Sequence, residues 1–382
     1  MISFDRVRQP VKESDRRPGP FPYYGASGIV DNVDQYLFDG DYLLVAEDGE
    51  NLRTRQTPIA FMATGRFWVN NHAHVLQANS KSDTRYLMYA LRVADVSAFL
   101  TGSTMPKLTA GNLARIPIPL RSLDEQRAIA SILGALDDKI ELNRKMSATL
   151  EAIARALFKS WFVDFDPVRA KAEGRDPGLP AEIAALFPDS LTHDGSRPVP
   201  INWSIARLDD FAKIGGGKQL PTDECKRTGK HQVFGANGVM GYADRYTHDD
   251  FVAAFGRVGA NCGSIHWTYR PSWINNNASA IVPDRYPEYV LQTLLDVDFV
   301  SMRTGSAQPF IPNSSLAAAP ILQAPDELIS VFCLTARPLR LRQGALDAES
   351  RVLATLRDEL LPKLISGELR VGEAERVLAA SA

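Results

Sequence analysis

Two sets of positions spaced by seven constrain this chain more than any other feature. Ile129, Leu136, Asn143, Leu150 and Leu157 form one set, and Phe332, Leu339, Leu346, Leu353 and Leu360 form the other. Adding 203 to each member of the first set gives the second. An apolar period of seven over four heptads marks a long helix with a partner seam, because 3.5 residues per turn keeps one stripe facing a neighbouring helix. A helix lying alone on a core carries a similar stripe. Two stripes in matched register suit a pair of helices better. Asn143 is the polar member, aligned with Leu346; a lone Asn in a seam fixes register at some cost in stability.

The helices are expected over 124–162 and 326–365. At 1.5 Å per residue, about 40 residues give roughly 60 Å each. Asp124, Glu125, Asp326 and Glu327 place acids at the helix starts, where the macrodipole favours them. Pro362 is expected to disturb the last turn of the second helix, and Gly367 to end it.

The segments before the helices repeat as well. Tyr23-Tyr24-Gly25-Ala26-Ser27-Gly28 matches Val233-Phe234-Gly235-Ala236-Asn237-Gly238 at an offset of 210, as Gly49 and Asn51 match Gly259 and Asn261. Trp68-Val69-Asn70-Asn71 matches Trp273-Ile274-Asn275-Asn276 at 205. Thr101-Gly102-Ser103 matches Thr304-Gly305-Ser306 at 203, and so does Ile116-Pro117-Ile118 with Ala319-Pro320-Ile321. The shared order, with the offset shrinking through small loop deletions, marks an internal duplication.

The layout follows from these landmarks. A first globular unit occupies 1–121, a long helix 122–166, a Pro-rich linker 167–200, a second globular unit 201–324, and a second long helix with a tail 325–382. The linker carries six prolines and one expected short helix at 181–186. Tyr42–Ala46 and Phe251–Phe255 read as buried strands, and Tyr86–Leu100 and Tyr289–Val300 as short helices. The fold class is therefore α+β, with mixed α/β globular units in tandem.

Composition narrows the function. No run of about 18 apolar residues is present, so no transmembrane helix is expected, and the polar start MISFDRVRQP is not a signal peptide. Cys225, Cys262 and Cys333 are widely spaced, which suits neither a disulfide framework nor a Cys-x-x-Cys metal site. A reducing cytoplasm is the simplest location. The net charge of −2 is not the basic balance common in nucleic-acid binders.

Several chemistries lack their residues. Gly215-Gly216-Gly217-Lys218-Gln219 has no hydroxyl residue after its lysine, so it is not a phosphate loop. His72 and His74 suggest a metal site, but their repeat counterparts Asn277 and Ser279 do not, and ligation needs three or four groups. Glu47, Asp48 and Glu50 suggest a nuclease cluster, yet Arg257 stands opposite Glu47.

A family resemblance fits this outline. The string Asp124-Glu125-Gln126-Arg127-Ala128-Ile129-Ala130-Ser131-Ile132-Leu133-Gly134-Ala135-Leu136-Asp137-Asp138-Lys139-Ile140-Glu141-Leu142-Asn143 resembles the first long helix of type I restriction-modification specificity subunits. Leu157–Pro167 and Leu360–Glu368 are similar to the closes of the two helices in that family. The resemblance implies two target recognition domains, each reading half of a split site on double-stranded DNA. It implies helices packed as an antiparallel coiled coil with pseudo-two-fold symmetry. It also implies a non-catalytic subunit bound by two methyltransferase subunits and by motor-nuclease subunits. S-adenosylmethionine, ATP and Mg²⁺ would then belong to those partners, with no cofactor or metal in this chain. A coiled-coil scaffold that does not read DNA, or a fused DNA-modifying enzyme, are the alternatives; the second would need a methyltransferase motif that the chain lacks.

Base edges are read by Arg on guanine and by Asn or Gln on adenine. The candidates are Arg53, Arg55, Asn70, Asn71, His72 and Lys107 in the first unit, and Lys218, Gln219, Arg257, Asn261, Asn275 and Asn276 in the second. Asn and Gly in matched loops also serve as turn formers. Asn70-Asn71 and Asn275-Asn276 match across the repeat and suit a shared structural role; positions that differ, such as Glu47 against Arg257, suit specificity better. Trp203 opens the second copy, and its counterpart would precede Met1, so the first unit is expected to lack an opening strand.

Overall fold

The first half of the chain folds into β1 (Ile2–Ser3), β2 (Pro18–Gly25), β3 (Gly28–Val33), β4 (Phe38–Asp39), β5 (Tyr42–Ala46), α1 (Asn51–Thr54), β6 (Ala60–Ala63), β7 (Arg66–Val69), β8 (Ala73–Gln77), α2 (Thr84–Val93) and α3 (Ala110–Leu113). The first long helix, α4, spans Leu123–Phe162. After it come α5 (Asp166–Ala172), α6 (Ala181–Ala184), β9 (Leu191–His193) and β10 (Pro198–Pro200). The second half contains β11 (Ser204–Arg207), β12 (Ala212–Gly216), β13 (His231–Gly235), β14 (Gly238–Ala243), β15 (Val252–Gly256), β16 (Ile265–Thr268), β17 (Ser272–Ile274), β18 (Ala278–Pro283), α7 (Pro287–Asp296), α8 (Asn313–Ala317) and β19 (Pro320–Gln323). The chain closes with α9 (Asp326–Ser366) and α10 (Val371–Ser381). This computed structural model describes residues 1–193, 198–305 and 308–381; Ser306 of the repeat match lies outside them.

The contacts define two units: Met1–Leu142 with Glu349–Ala382, and Asn143–Ala348. Each unit holds one globular half and part of each long helix. Within the first, one sheet runs β1-β8-β5-β6 and the other β3-β2-β7-β4. Within the second, the orders are β12-β18-β15-β16 and β14-β13-β17. The central strands β5 and β15 are buried on both faces, which is why both read as continuous apolar runs. The parallel pairs also correspond: Tyr23 lies opposite Trp68 in one unit and Val233 opposite Trp273 in the other.

The duplication extends to single hydrogen bonds. The Trp68 indole N–H donates to the Gln9 carbonyl at 2.7 Å, and that of Trp273 to the Lys218 carbonyl at 2.8 Å. The Leu108 amide donates to the Glu47 carbonyl at 2.7 Å, and the Ile311 amide to that of Arg257 at 3.0 Å. The Tyr86 hydroxyl donates to the Pro119 carbonyl and that of Tyr289 to the Leu322 carbonyl. Gly102 and Gly305 both sit at left-handed φ, +86° and +85°, and a Cβ on either would strike a backbone carbonyl. Their recurrence has that steric cause.

The helices pack antiparallel within each unit. In the first, Arg357 on α9 donates to Asp137 on α4 at 2.7 Å, and Lys139 pairs with Glu349 at 3.4 Å. In the second, the Gln343 amide donates to the Ser147 carbonyl at 3.0 Å, and the Phe158 and Phe332 rings meet at 5.7 Å. Rising numbers on α4 meet falling numbers on α9 in both. Ile129, Leu136, Asn143, Phe332, Leu346 and Leu360 are buried. Leu150, Leu157, Leu339 and Leu353 are half-buried, so no seam position is exposed. The helices complete a core in each unit: Ile129, Leu133 and Leu136 with Leu360 and Leu364 in the first, and Phe158 and Phe162 with Phe332 in the second. Each such side chain contributes about 1.5–3 kcal/mol by leaving water.

Several expectations are corrected. Helix α9 runs through Pro362 and through Pro338 to Ser366. Leu360, Leu361, Leu364 and Ile365 are all buried, and that packing offsets the backbone bond Pro362 removes. Gly367 ends the helix at φ +83°, its amide donating to the Lys363 carbonyl at 3.0 Å. The Pro-rich stretch is a packed strap rather than a free connector, because Val168, Phe187 and Val199 interleave its prolines and are buried. Helix α2 starts earlier than expected, where the Asp83 carboxylate accepts the Tyr86 amide, and it stops at Val93. Helix α7 starts at Pro287, whose missing N–H costs nothing at a first helical position, and stops at Asp296. In the first unit β1 corresponds to β12, and no counterpart of the β11–β19 pair appears among the described residues. No described helix is long and apolar enough to cross a membrane.

Candidate nucleic-acid interface

Four loops converge in each unit. In the first they are the hairpin between β2 and β3, residues 47–50 after β5, residues 70–72 before β8, and residues 101–107. The Glu47 amide donates to the His72 carbonyl at 2.8 Å, and Thr101 and Lys107 exchange backbone bonds at 2.8 and 2.7 Å. The His72 Nδ1 lies 2.9 Å from the Asp48 carboxylate, and Arg53 donates to the Gly102 carbonyl at 3.1 Å. In the second unit Thr304 and Phe310 repeat the backbone exchange at 2.9 Å. There the Asn261 amide donates to Asn237 Oδ1 at 2.8 Å and ties the β13–β14 hairpin to the loop after β15.

Beneath the first cluster lies a charged network. His74 is buried, with Nδ1 2.6 Å from the Asp5 carboxylate and Nε2 2.7 Å from the Leu108 carbonyl. Both partners accept hydrogen bonds, so both ring nitrogens must donate and the ring carries a positive charge. Burial alone would lower the His74 pKa; the Asp5 hydrogen bond and the Leu108 carbonyl outweigh it and hold the pKa above its ordinary value. Burial would likewise raise Asp5, but His74 and the Val75 amide hold it below the usual carboxylate range. Glu47 is also held low against burial, by Arg8 at 2.6 Å and Lys107 at 3.2 Å. The counterpart of His74 is Ser279, whose hydroxyl bonds Asn313 at 2.6 Å.

The structure sorts the sequence candidates by what holds them. Arg55, at φ +53°, donates to the Ala94 carbonyl, so it is a structural tie. Asn70 and Asn275 are buried turn formers: Asn70 accepts the His72 amide at 2.8 Å, and Asn275 the Asn276 amide at 2.9 Å. Arg53 is exposed but also pairs with Glu50 at 3.3 Å. His72 and Lys107 are exposed at their ion pairs with Asp48 and Glu47. His72 and His74 do not combine as ligands, since both nitrogens of His74 are taken. Among the described residues no group of three His, Cys, Asp or Glu side chains could hold a metal ion. Asn71, Lys218, Gln219, Asn261 and Asn276 stand at the surface, and Arg257 is half-buried. Glu47, weighed as a position of specificity, is instead locked into the network under the loops.

Two residues of the second cluster escape the candidate set. Asn237 sits on the hairpin, and Asn277 lies at the entrance to β18. Asn277 stands 205 residues beyond His72, the offset already set by the tryptophans, so the repeat itself pointed to it. One hydrogen-bonded frame thus carries different side chains in its two copies: Glu47 and Arg257, Asp48 and Val258, His72 and Asn277, Lys107 and Phe310.

A duplicated α+β unit, tied within each copy to an antiparallel helix pair, defines the class of protein. Residues 2–152 match the family described as the type I restriction modification DNA specificity domain. A Haemophilus influenzae protein provisionally named a type I restriction enzyme specificity subunit is 40% identical over 132 residues, 35% of this chain and 34% of that one. The MjaIX specificity subunit of Methanocaldococcus jannaschii is 26% identical over 362 residues, 87% of this chain and 80% of that one. The crystal structure of a type I restriction-modification S subunit from M. genitalium shares the fold, with a TM-score of 0.61 at 16% identity over 95% of both chains. Residues 2–152 thus match the specificity-domain family, and the chain as a whole is similar to type I restriction-modification specificity subunits.

Proposed function

We propose that this chain reads a bipartite double-stranded DNA site and presents it to partner subunits in the cytoplasm. Each loop cluster contacts one half-site, and the paired helices hold the two readers in one chain. Two methyltransferase subunits and motor-nuclease subunits assemble on it. S-adenosylmethionine, ATP and Mg²⁺ belong to those partners, and the chain supplies recognition without catalysis. The observation that carries this reading is the contrast within the repeat: the bonds that shape the loops recur, whereas the side chains they display differ. Two matching loop frames with unlike faces suit two half-sites of unlike sequence. The near-neutral net charge fits a subunit whose partners share the phosphate contacts.

Selection from random duplexes by the chain, co-purified with its methyltransferase subunits, tests this. A consensus of two fixed half-sites around an unspecified spacer is the expected result. Failure to bind a methyltransferase subunit together with no sequence preference overturns it.

A further inference from the structure

The loop cluster of the second unit encloses a cleft of about 480 Å³ between the hairpin Gly235–Met240, the loop Val258–Asn261 and Asn277. No side chain lining it is charged, and three end in amides: Asn237, Asn261 and Asn277. The Asn261 amide donates to Asn237 Oδ1 at 2.8 Å. Asn277 does not share in this: its Oδ1 has no exposed surface and no hydrogen-bond partner. Gly235 makes the space for it, since a Cβ there would lie 3.0 Å from that oxygen. A shielded, unanswered carbonyl oxygen costs stability, and such a group calls for a partner from outside the fold.

The lining specifies the chemistry of that partner. Phosphate recruits Arg or Lys, and this cleft presents neither. Nearby His266 is held neutral, its pKa lowered by burial, and its Nε2 is also buried without a partner. A neutral, planar group bearing both a donor and an acceptor fits three amides. In the major groove adenine offers that pair, N6–H and N7, to the Oδ1 and Nδ2 of one Asn. Val239 and Met240 on the rim are 44% and 52% exposed, an apolar neighbour for the methyl of the paired thymine. In the first unit the same position is His72, engaged with Asp48 at 2.9 Å, so the two copies would read different bases there.

We propose that this cleft is the base-reading site of the second domain and that Asn277, its amide turned outward by side-chain rotation on binding, reads an adenine through its major-groove edge. This rests on the DNA-reading function proposed above. Random-duplex selection is run with the complex of the full chain and its methyltransferase subunits, carrying Asn277→Ala or Asn277→Asp. Asn277→Ala should lose preference at one A·T pair of a single half-site by about 5- to 150-fold, with the other half-site intact. Asn277→Asp keeps the shape but accepts only, and should move that position toward cytosine, whose N4 donates. An unchanged motif, an equal loss at all positions, or a change at a G·C pair overturns the assignment of Asn277 while leaving DNA reading intact. A wild-type complex that selects no motif overturns both.

Discussion

Asp137 and Arg340 occupy the same position in the two copies of the repeat, 203 residues apart, and each is a charged group that ties α4 to α9 within its unit. Asp137 accepts from the Tyr89 hydroxyl at 2.7 Å, from Arg357 at 2.7 Å and from Arg92 at 3.2 Å. Arg340 is 1% exposed and donates to Gln292 at 2.5 Å, to Gln343 at 3.0 Å and to Glu151. Tyr89 and Gln292 are themselves repeat equivalents. The sign of the charge is reversed between copies, and the cross-helix partner shifts from the position of Ala154, the equivalent of Arg357, to Glu151, so the two halves of the helix pair are not interchangeable.

Arg340→Ala should therefore destabilise the chain by about 1–3 kcal/mol, because it strands buried Gln292, whereas solvent screens the Glu151 carboxylate it leaves behind. Arg340→Met combined with Glu151→Leu should recover part of that through apolar packing, while Gln292 stays without its donor. Guanidinium unfolding of the three variants measures both effects. A loss below about 1 kcal/mol for Arg340→Ala contradicts the tie.

The network around His74 gives β8 a pH dependence that the equivalent position in β18, Ser279, does not share. The His74 pKa is raised above its ordinary 6.5, so its contribution is complete below that value and is lost as pH rises through the folded pKa. Asp5 and Glu47 are depressed, so theirs is present above the ordinary 3.8 and 4.5 and is lost as pH falls through the folded values. Hydrogen exchange should show β8 losing protection toward alkaline pH more steeply than β18, whose counterpart residue Ser279 does not titrate. His74→Gln should flatten that difference. Equal alkaline profiles for β8 and β18 in the unmodified chain contradict the charged state of His74.

Lys218 and Arg55 should separate by phenotype. Lys218 is exposed beside the glycine-rich edge strand β12, free to meet phosphate. Lys218→Ala should weaken binding to every sequence alike and reduce the salt slope by about 1. Arg55→Ala should lower the thermal stability of the first unit and leave the selected motif unchanged. A motif altered by Arg55→Ala would return that residue to the base-reading set.

The helices were legible because an apolar stripe of constant period has one physical cause. Arg340 was not, since beside Leu339 it reads as a solvated charge; only the folded chain brings Glu151 and Gln292 to it. The strap at 167–200 misled for the reverse reason: prolines signal a break in helix or sheet, and they are silent about whether the residues between them find a core. Among the site residues, Asn70 and Asn275 were legible as turn formers because both copies need the same bend. Asn277 lay one residue beyond a matched string, and a mismatch in a repeat shows that two positions differ without showing which way the side chain faces.

Methylation mapping of genomic DNA from the strain that encodes this chain, compared with a strain lacking it, tests the central claim most directly. The account predicts a split motif, methylated in both halves, that disappears entirely when the chain is removed. Identical methylation patterns in the two strains, with the methyltransferase subunits expressed, would contradict it.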